Sequence, residues 1–119
     1  MRIRRLGWAG LELEADDHVA LVDLLQETEW LAGFVGAPRT PLPGPSRPAD
    51  LALVTHLHAD HTDAAALQRA LKPGAPVLRP APAGGDGLEN AGLELAETGL
   101  QVALDAEWRA AVIELTPRQ

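Results

Sequence analysis

Cysteine is absent from the 119 residues, so the chain has neither a disulfide nor a thiolate ligand, and its redox compartment stays open. Positive charge is scarce. Ten Lys and Arg against seventeen Asp and Glu leave a net charge of −7, which argues against a nucleic-acid partner, whose phosphates it would repel. No apolar run approaches the roughly 20 residues that a membrane span takes. The opening Met1-Arg2-Ile3-Arg4-Arg5 is basic, but no apolar signal core follows it, so a secretory leader is not expected and the cytoplasm is the default location. A single lysine beside nine arginines reads as genome composition rather than function.

What is present is a hydrophobic content of 46%, that of a globular chain, at a length that allows one domain spanning residues 1–119. Only four histidines occur, and three of them fall within Thr55-His56-Leu57-His58-Ala59-Asp60-His61-Thr62-Asp63. The apolar run Leu51-Ala52-Leu53-Val54 before this cluster reads as a buried strand, and residues 63–71 after it read as a helix. The cluster therefore stands at the carboxyl end of a strand, where open α/β sheets place ligands.

The spacing carries geometry. On a helix, residues two apart point about 200° away from one another, so His56 and His58 could not share a metal. On an extended backbone they project to the same side, and a turn can bring Asp60 and His61 to the same point. Three imidazole nitrogens and one carboxylate suit zinc first, then iron or manganese, rather than calcium or magnesium. The bland alternative is a solvated turn in which Thr62 or Asp63 merely caps the next helix. Metal binding explains the cluster better.

Elsewhere the chain reads as short strands over residues 2–6, 10–15 and 18–24, with Gly7 and Gly10 bracketing a tight turn or bulge. Leu11-Glu12-Leu13-Glu14 alternates as a half-buried strand does, leucines to one face and glutamates to the other, and Asp16-Asp17 supplies a turn. His18 is expected to face solvent or make a local hydrogen bond, not to be a ligand. From Gln26 to Asp50 no period holds, and Pro38, Pro41, Pro43, Pro45 and Pro48 exclude helix interior and central strand from their stretch. Trp30 and Phe34 are expected in the core, with a substrate mouth as the alternative.

After the cluster, Lys72-Pro73-Gly74 stops the helix, and residues 76–79 form the next strand of a parallel strand–helix–strand crossover. Gly84-Gly85-Asp86-Gly87 lacks the lysine and helix spacing of a phosphate loop. A helical turn is expected over 87–91. Residues 93–95, 101–104 and 110–115 are expected to form an antiparallel meander, with Trp108 packed on it. The fold class is mixed α/β, an α+β arrangement with a mixed sheet.

His56-Leu57-His58-Ala59-Asp60-His61 resembles the His-x-His-x-Asp-His signature of the metallo-β-lactamase fold superfamily. Residues 3–14 and Val19-Ala20-Leu21-Val22-Asp23 look like the opening strands of its lactonase-like branch, and the likeness spans the first half of that family's domain. The resemblance implies half of an αββα sandwich and hydrolysis of a small-molecule ester, lactone, amide or phosphodiester by metal-activated water. It implies up to two divalent ions, His56 and His58 holding the first, and Asp60 and His61 the second. Asp60 would also orient the attacking water, and Asp23 would take the ring N–H of a ligating histidine rather than merely form a turn. Trp8 stands where relatives carry a histidine, and is expected in the core or, alternatively, as a wall of the cleft.

The family completes its site with histidines and a bridging carboxylate from later strands, whereas no histidine follows His61. The chain is therefore expected to be truncated before those ligands, to draw them from a partner chain, or to be a non-catalytic metal-binding or structural half-domain. Half a sandwich would leave an apolar sheet face uncovered, and a homo-oligomer pairing such faces is expected.

Overall fold

A computed structural model describes residues 1–80, 88 and 91–97. The expected strands at 101–104 and 110–115, Trp108, and most of the expected turn at 87–91 lie outside these residues. Within them the protein is a six-stranded mixed sheet with two helices, in the spatial order β1-β2-β3-β4-β5-β6. The strands are β1 (Arg2–Gly7), β2 (Gly10–Ala15), β3 (His18–Val22), β4 (Leu51–Leu53), β5 (Pro76–Arg79) and β6 (Glu94–Glu97). The first three form an antiparallel meander, and β3 through β6 are parallel neighbours.

Both hairpins turn on backbone that few side chains adopt. Asp16 and Asp17 both have positive φ, 49° and 66°, as a two-residue type I′ turn requires, and aspartate tolerates this better than most residues. In the β1–β2 hairpin, Gly7 pairs with Gly10 across a register shift, so the tight turn and the bulge coexist. Gly7 has a φ of 86°, and a Cβ there would meet Leu42 Cδ2 at 2.7 Å. Trp8 follows in the same left-handed region at 49°.

One face of the sheet carries the core. Leu6, Val19, Leu21, Ala52, Val54 and Val77 are buried there together with Ala66, Leu67 and Ala70 of helix α2 (Ala64–Ala70). The three- and four-residue spacing on that helix is what lets these side chains share a stripe. Asp63 starts α2, its Oδ1 accepting from the Ala66 N–H at 3.0 Å. At the other end Leu71 turns extended and bridges to Ala49.

The β2 alternation has the opposite sense from the sequence expectation. Glu12 is buried, at 1% exposure, while Leu11 and Leu13 are only partly covered. Glu12 is tolerated inside because its lone pairs are used. Oε1 lies 3.1 Å from Arg4 Nε and accepts from Ser46 Oγ at 3.0 Å, and Oε2 accepts from the Ser46 N–H at 2.7 Å. Burial alone would raise its pKa, but the Ser46 and Arg4 contacts outweigh that and hold it below the ordinary value. These bonds, with Arg4 Nη2 donating to the Gly44 carbonyl at 2.8 Å, fix the proline-rich crossing against the first hairpin.

The opposite face is also apolar. The register puts four apolar residues, Ile3, Leu13, Ala20 and Leu51, in one row and five, Leu11, Val22, Leu53, Leu78 and Ala96, in the next, with exposed Arg5 opposite Leu11 at the β1 end of the latter. None of these nine is fully buried, and Ile3 is 60% exposed.

Two expectations need correction. Residues 29–35 are not irregular: helix α1 (Glu29–Val35) forms there, ended by Gly36 at a φ of 84° with its N–H bonded to the Ala32 carbonyl. The helix escapes a periodicity reading because it buries no residue fully. Trp30 and Phe34 accordingly do not fill the core; they are 42% and 83% exposed. Of the expected strand at 93–95, residues 94 and 95 lie in β6 and Leu93 does not, and the described partner of β6 is β5, in parallel rather than in an antiparallel meander.

Candidate metal centre

β4 ends at Leu53, and the chain bends at Thr55-His56 before His58 resumes an extended conformation. A single 3₁₀ turn over Ala59–His61 then swings Asp60 and His61 back toward the strand end. The histidines are brought together by this bend, not by continuation of the strand. The ring centroids of His56 and His58 are 4.7 Å apart and nearly perpendicular, and those of His56 and His61 are 4.0 Å apart.

Two overlapping donor groups result. His56, His58 and Asp60 each offer a ligand atom within 4.8 Å of the others, and so do Asp23, His56 and His61. These His and Asp side chains are positioned to hold a metal ion.

The hydrogen bonds distinguish Asp23 from the other donors. It sits just past β3 at a φ of 47° and is only 4% exposed. Strain of this kind in a buried aspartate is characteristic of functional sites. Its Oδ1 accepts from the Thr55 N–H at 2.8 Å, and its Oδ2 accepts from Thr55 Oγ1 at 2.6 Å and lies 2.9 Å from His61 Nδ1. A carboxylate that accepts three such bonds has most of its roughly four lone-pair sites in use, and it orients the neighbours that donate to it.

The same network assigns tautomers. The Thr55 hydroxyl has one proton, given to Asp23, so at 2.9 Å from His56 Nδ1 it must accept the N–H of that ring. His61 likewise donates from Nδ1 to Asp23, since the carboxylate has no proton to give. In the neutral form of either ring, the nitrogen left carrying the lone pair is then Nε2, the form a metal takes. Thr55, which the sequence reading passed over, is thus part of the site; its one visible signal is adjacency to His56.

Asp60 is held from the far end of the sheet. The Trp8 indole N–H donates to Asp60 Oδ2 at 3.1 Å, and His61 Nε2 stands 3.5 Å from the same oxygen. Trp8 is therefore not core: it is 40% exposed and borders the cluster. Burial pushes the Asp60 pKa up, but the Trp8 N–H and the neighbouring imidazoles bring it below the ordinary value, which keeps the carboxylate ionised. His56 is lowered by burial first, then by repulsion from His61 and His58, which Asp23 and Asp60 offset only in part. Both shifts favour ligand-competent forms.

Asp63 does more than cap α2. Its Oδ2 accepts from the N–H groups of Gln26 and Glu27, each at 2.9 Å, and so ties the chain after β3 to the helix that follows the cluster. His18 stands apart, its side chain 78% exposed, with Nδ1 3.6 Å from Asp50.

No protein-family model matches the chain, and no curated protein matches it. The class that fold and site define is a mixed α/β protein carrying a candidate His/Asp metal centre at the carboxyl end of a parallel strand. None of its described helices is long and apolar enough to cross a membrane.

Proposed function

We propose that this chain is a metal-dependent hydrolase module of the metallo-β-lactamase superfamily, acting on a small-molecule ester, lactone, amide or phosphodiester. The observation that carries the reading is the convergence of His56, His58 and Asp60 within 4.8 Å, in the His-x-His-x-Asp-His order that resembles the family signature. Three protein ligands with open coordination is the arrangement of catalytic zinc, whereas structural zinc is enclosed by four. The donor set of imidazole and carboxylate fits zinc first, with iron or manganese as alternatives.

A divalent cation there would lower the proton affinity of a water molecule and polarise the oxygen of the scissile group. The residues of this chain do the rest. His56 and His61 present Nε2 because Thr55 and Asp23 hold their other nitrogens. Asp60, ionised and fixed by Trp8, would orient the attacking water. Exposed His58 leaves the approach from solvent open.

Zinc content after loading and desalting, joined to turnover of bis(p-nitrophenyl) phosphate or p-nitrophenyl acetate, tests the reading. Stoichiometric zinc and turnover lost in His58→Ala support it, and failure to retain zinc overturns it. Retained zinc without turnover favours the second reading, a metal-binding half-domain that does not catalyse alone.

The half-covered apolar face supports a further proposal, that two copies pair through it as a homo-oligomer. Light scattering of the eluting protein at micromolar concentration checks this: a dimer mass that falls to monomer in Leu13→Glu supports the pairing, and a wild-type monomer overturns it.

A further inference from the structure

We propose that the cavity between the β1–β2 turn and α1 is a subsite for the apolar part of a small acyl compound whose polar end lies at the His/Asp cluster; this rests on the hydrolase reading above. The cavity has a volume of about 190 Å³ and is lined by Trp8, Leu25, Leu31, Val35, Pro38 and Leu42 among others, with no charged side chain. A cavity of about 150 Å³ holds benzene, so this one has room for one ring or a short alkyl chain.

Its position is what makes it a subsite. Trp8 lines the cavity, and the indole N–H of the same side chain is bonded to Asp60 Oδ2. Apolar wall and candidate metal ligand are thus separated by the width of one indole. The wall is built, not incidental. Gly7, at a φ of 86°, lets Leu42 Cδ2 come to within 2.7 Å of where a Cβ would stand, so a larger residue there would be strained and would push Leu42 aside. Trp8 accepts a φ of 49° to reach its place. Exposed Trp30 and Phe34 extend the apolar character along α1 outside the cavity. Two further cavities among the described residues, one beside Arg47 and Arg69 and one beside Lys72 and Glu94, are lined by charged side chains and do not include Trp8. An apolar pocket opening beside a small group of polar atoms is the usual form of a small-molecule site.

The test is a series of straight-chain carboxylates, acetate to hexanoate, titrated calorimetrically into the zinc-loaded full chain. Zinc affinity is measured separately by chelator competition. Each added methylene that enters the cavity is expected to tighten binding about three- to fourfold. Ala37→Trp, placed at the cavity wall, is expected to abolish this increment while zinc affinity stays unchanged. Leu31→Asn, which makes the wall polar without filling it, is expected to reduce the increment and guards against a fold defect in the first variant. Equal affinity for acetate and hexanoate with zinc bound overturns the subsite and leaves the metal reading standing. An increment that survives in both variants overturns it too, by placing the chain elsewhere. Failure to bind zinc removes the hydrolase reading and the subsite with it.

Discussion

His61 Nδ1 lies 2.9 Å from Asp23 Oδ2, joining the residue just past β3 to the last histidine of the cluster. The pair does two things at once. It fixes which ring nitrogen of His61 faces the cluster, and it satisfies a carboxylate that is otherwise out of water. The strained Asp23 backbone is compensated by three accepted hydrogen bonds, two of them from Thr55.

Asp23→Asn keeps the shape but replaces an acceptor oxygen with a donor, so either the Thr55 or the His61 bond is lost. Removing such an orienting partner weakens metal binding about ten- to hundredfold. Zinc competition against a chromophoric chelator is expected to show that loss with the far-ultraviolet dichroism unchanged. Wild-type affinity in this variant would mean that Asp23 orients nothing.

Asp63 ties together three segments. Asp63→Ala removes the cap of α2 and leaves the Gln26 and Glu27 N–H groups without their acceptor. Loss of a cap costs about 0.5–2 kcal/mol, and unpaired N–H groups add to it, so a destabilisation of about 2 kcal/mol is expected from urea titration. A loss limited to a few tenths would show that the loop does not depend on this carboxylate.

Acid sensitivity follows from two carboxylates away from the cluster. The Lys72 ammonium, 2.6 Å away, and the Val19 N–H hold Asp50 down to about 2, from an ordinary value of 3.8. Glu12 is also lowered, its burial outweighed by Ser46 and Arg4. A carboxyl group with a folded pKa below its unfolded one takes up protons first in the unfolded chain. Its stabilisation is therefore complete above the unfolded value and is lost as pH falls through the folded one. The urea midpoint is expected to fall as pH drops from about 5 toward 2. Asp50→Asn is expected to start lower at neutral pH and to change less over that window. An acid limb of equal depth in the variant would assign the loss to other groups.

What could be read from the sequence was local. His56, His58, Asp60 and His61 lie within six positions, so short-range geometry was enough to bring them together. The β4–α2–β5 crossover was legible for the same reason, from an apolar run, a stop at Lys72-Pro73-Gly74, and a second run. What escaped depends on long-range contact. Glu12 reads as a solvent-facing residue until Arg4 and Ser46, the latter 34 residues away, are seen to surround its carboxylate. Helix α1 buries no residue fully, so it lacks the periodic apolar stripe that marks a helix in sequence. Trp8, a large apolar residue, reads as core; its placement at the cluster follows from the left-handed turn between Gly7 and Gly10, which no composition rule reveals.

Trp8 therefore offers the sharpest separation of roles. Trp8→Phe keeps an aromatic wall and removes only the N–H that holds Asp60 Oδ2. A hydrogen bond to an ionised group contributes about 1.5–3 kcal/mol when sheltered, and less at this exposure, so zinc binding about three- to tenfold weaker is expected. The methylene increment in carboxylate binding should persist in that variant, because the ring still lines the cavity. Trp8→Ala removes both contacts, and it is expected to lose the increment as well as the zinc affinity. If Trp8→Phe binds zinc as the wild type does, the indole N–H does not position Asp60. If Trp8→Ala keeps the increment, the cavity wall lies elsewhere.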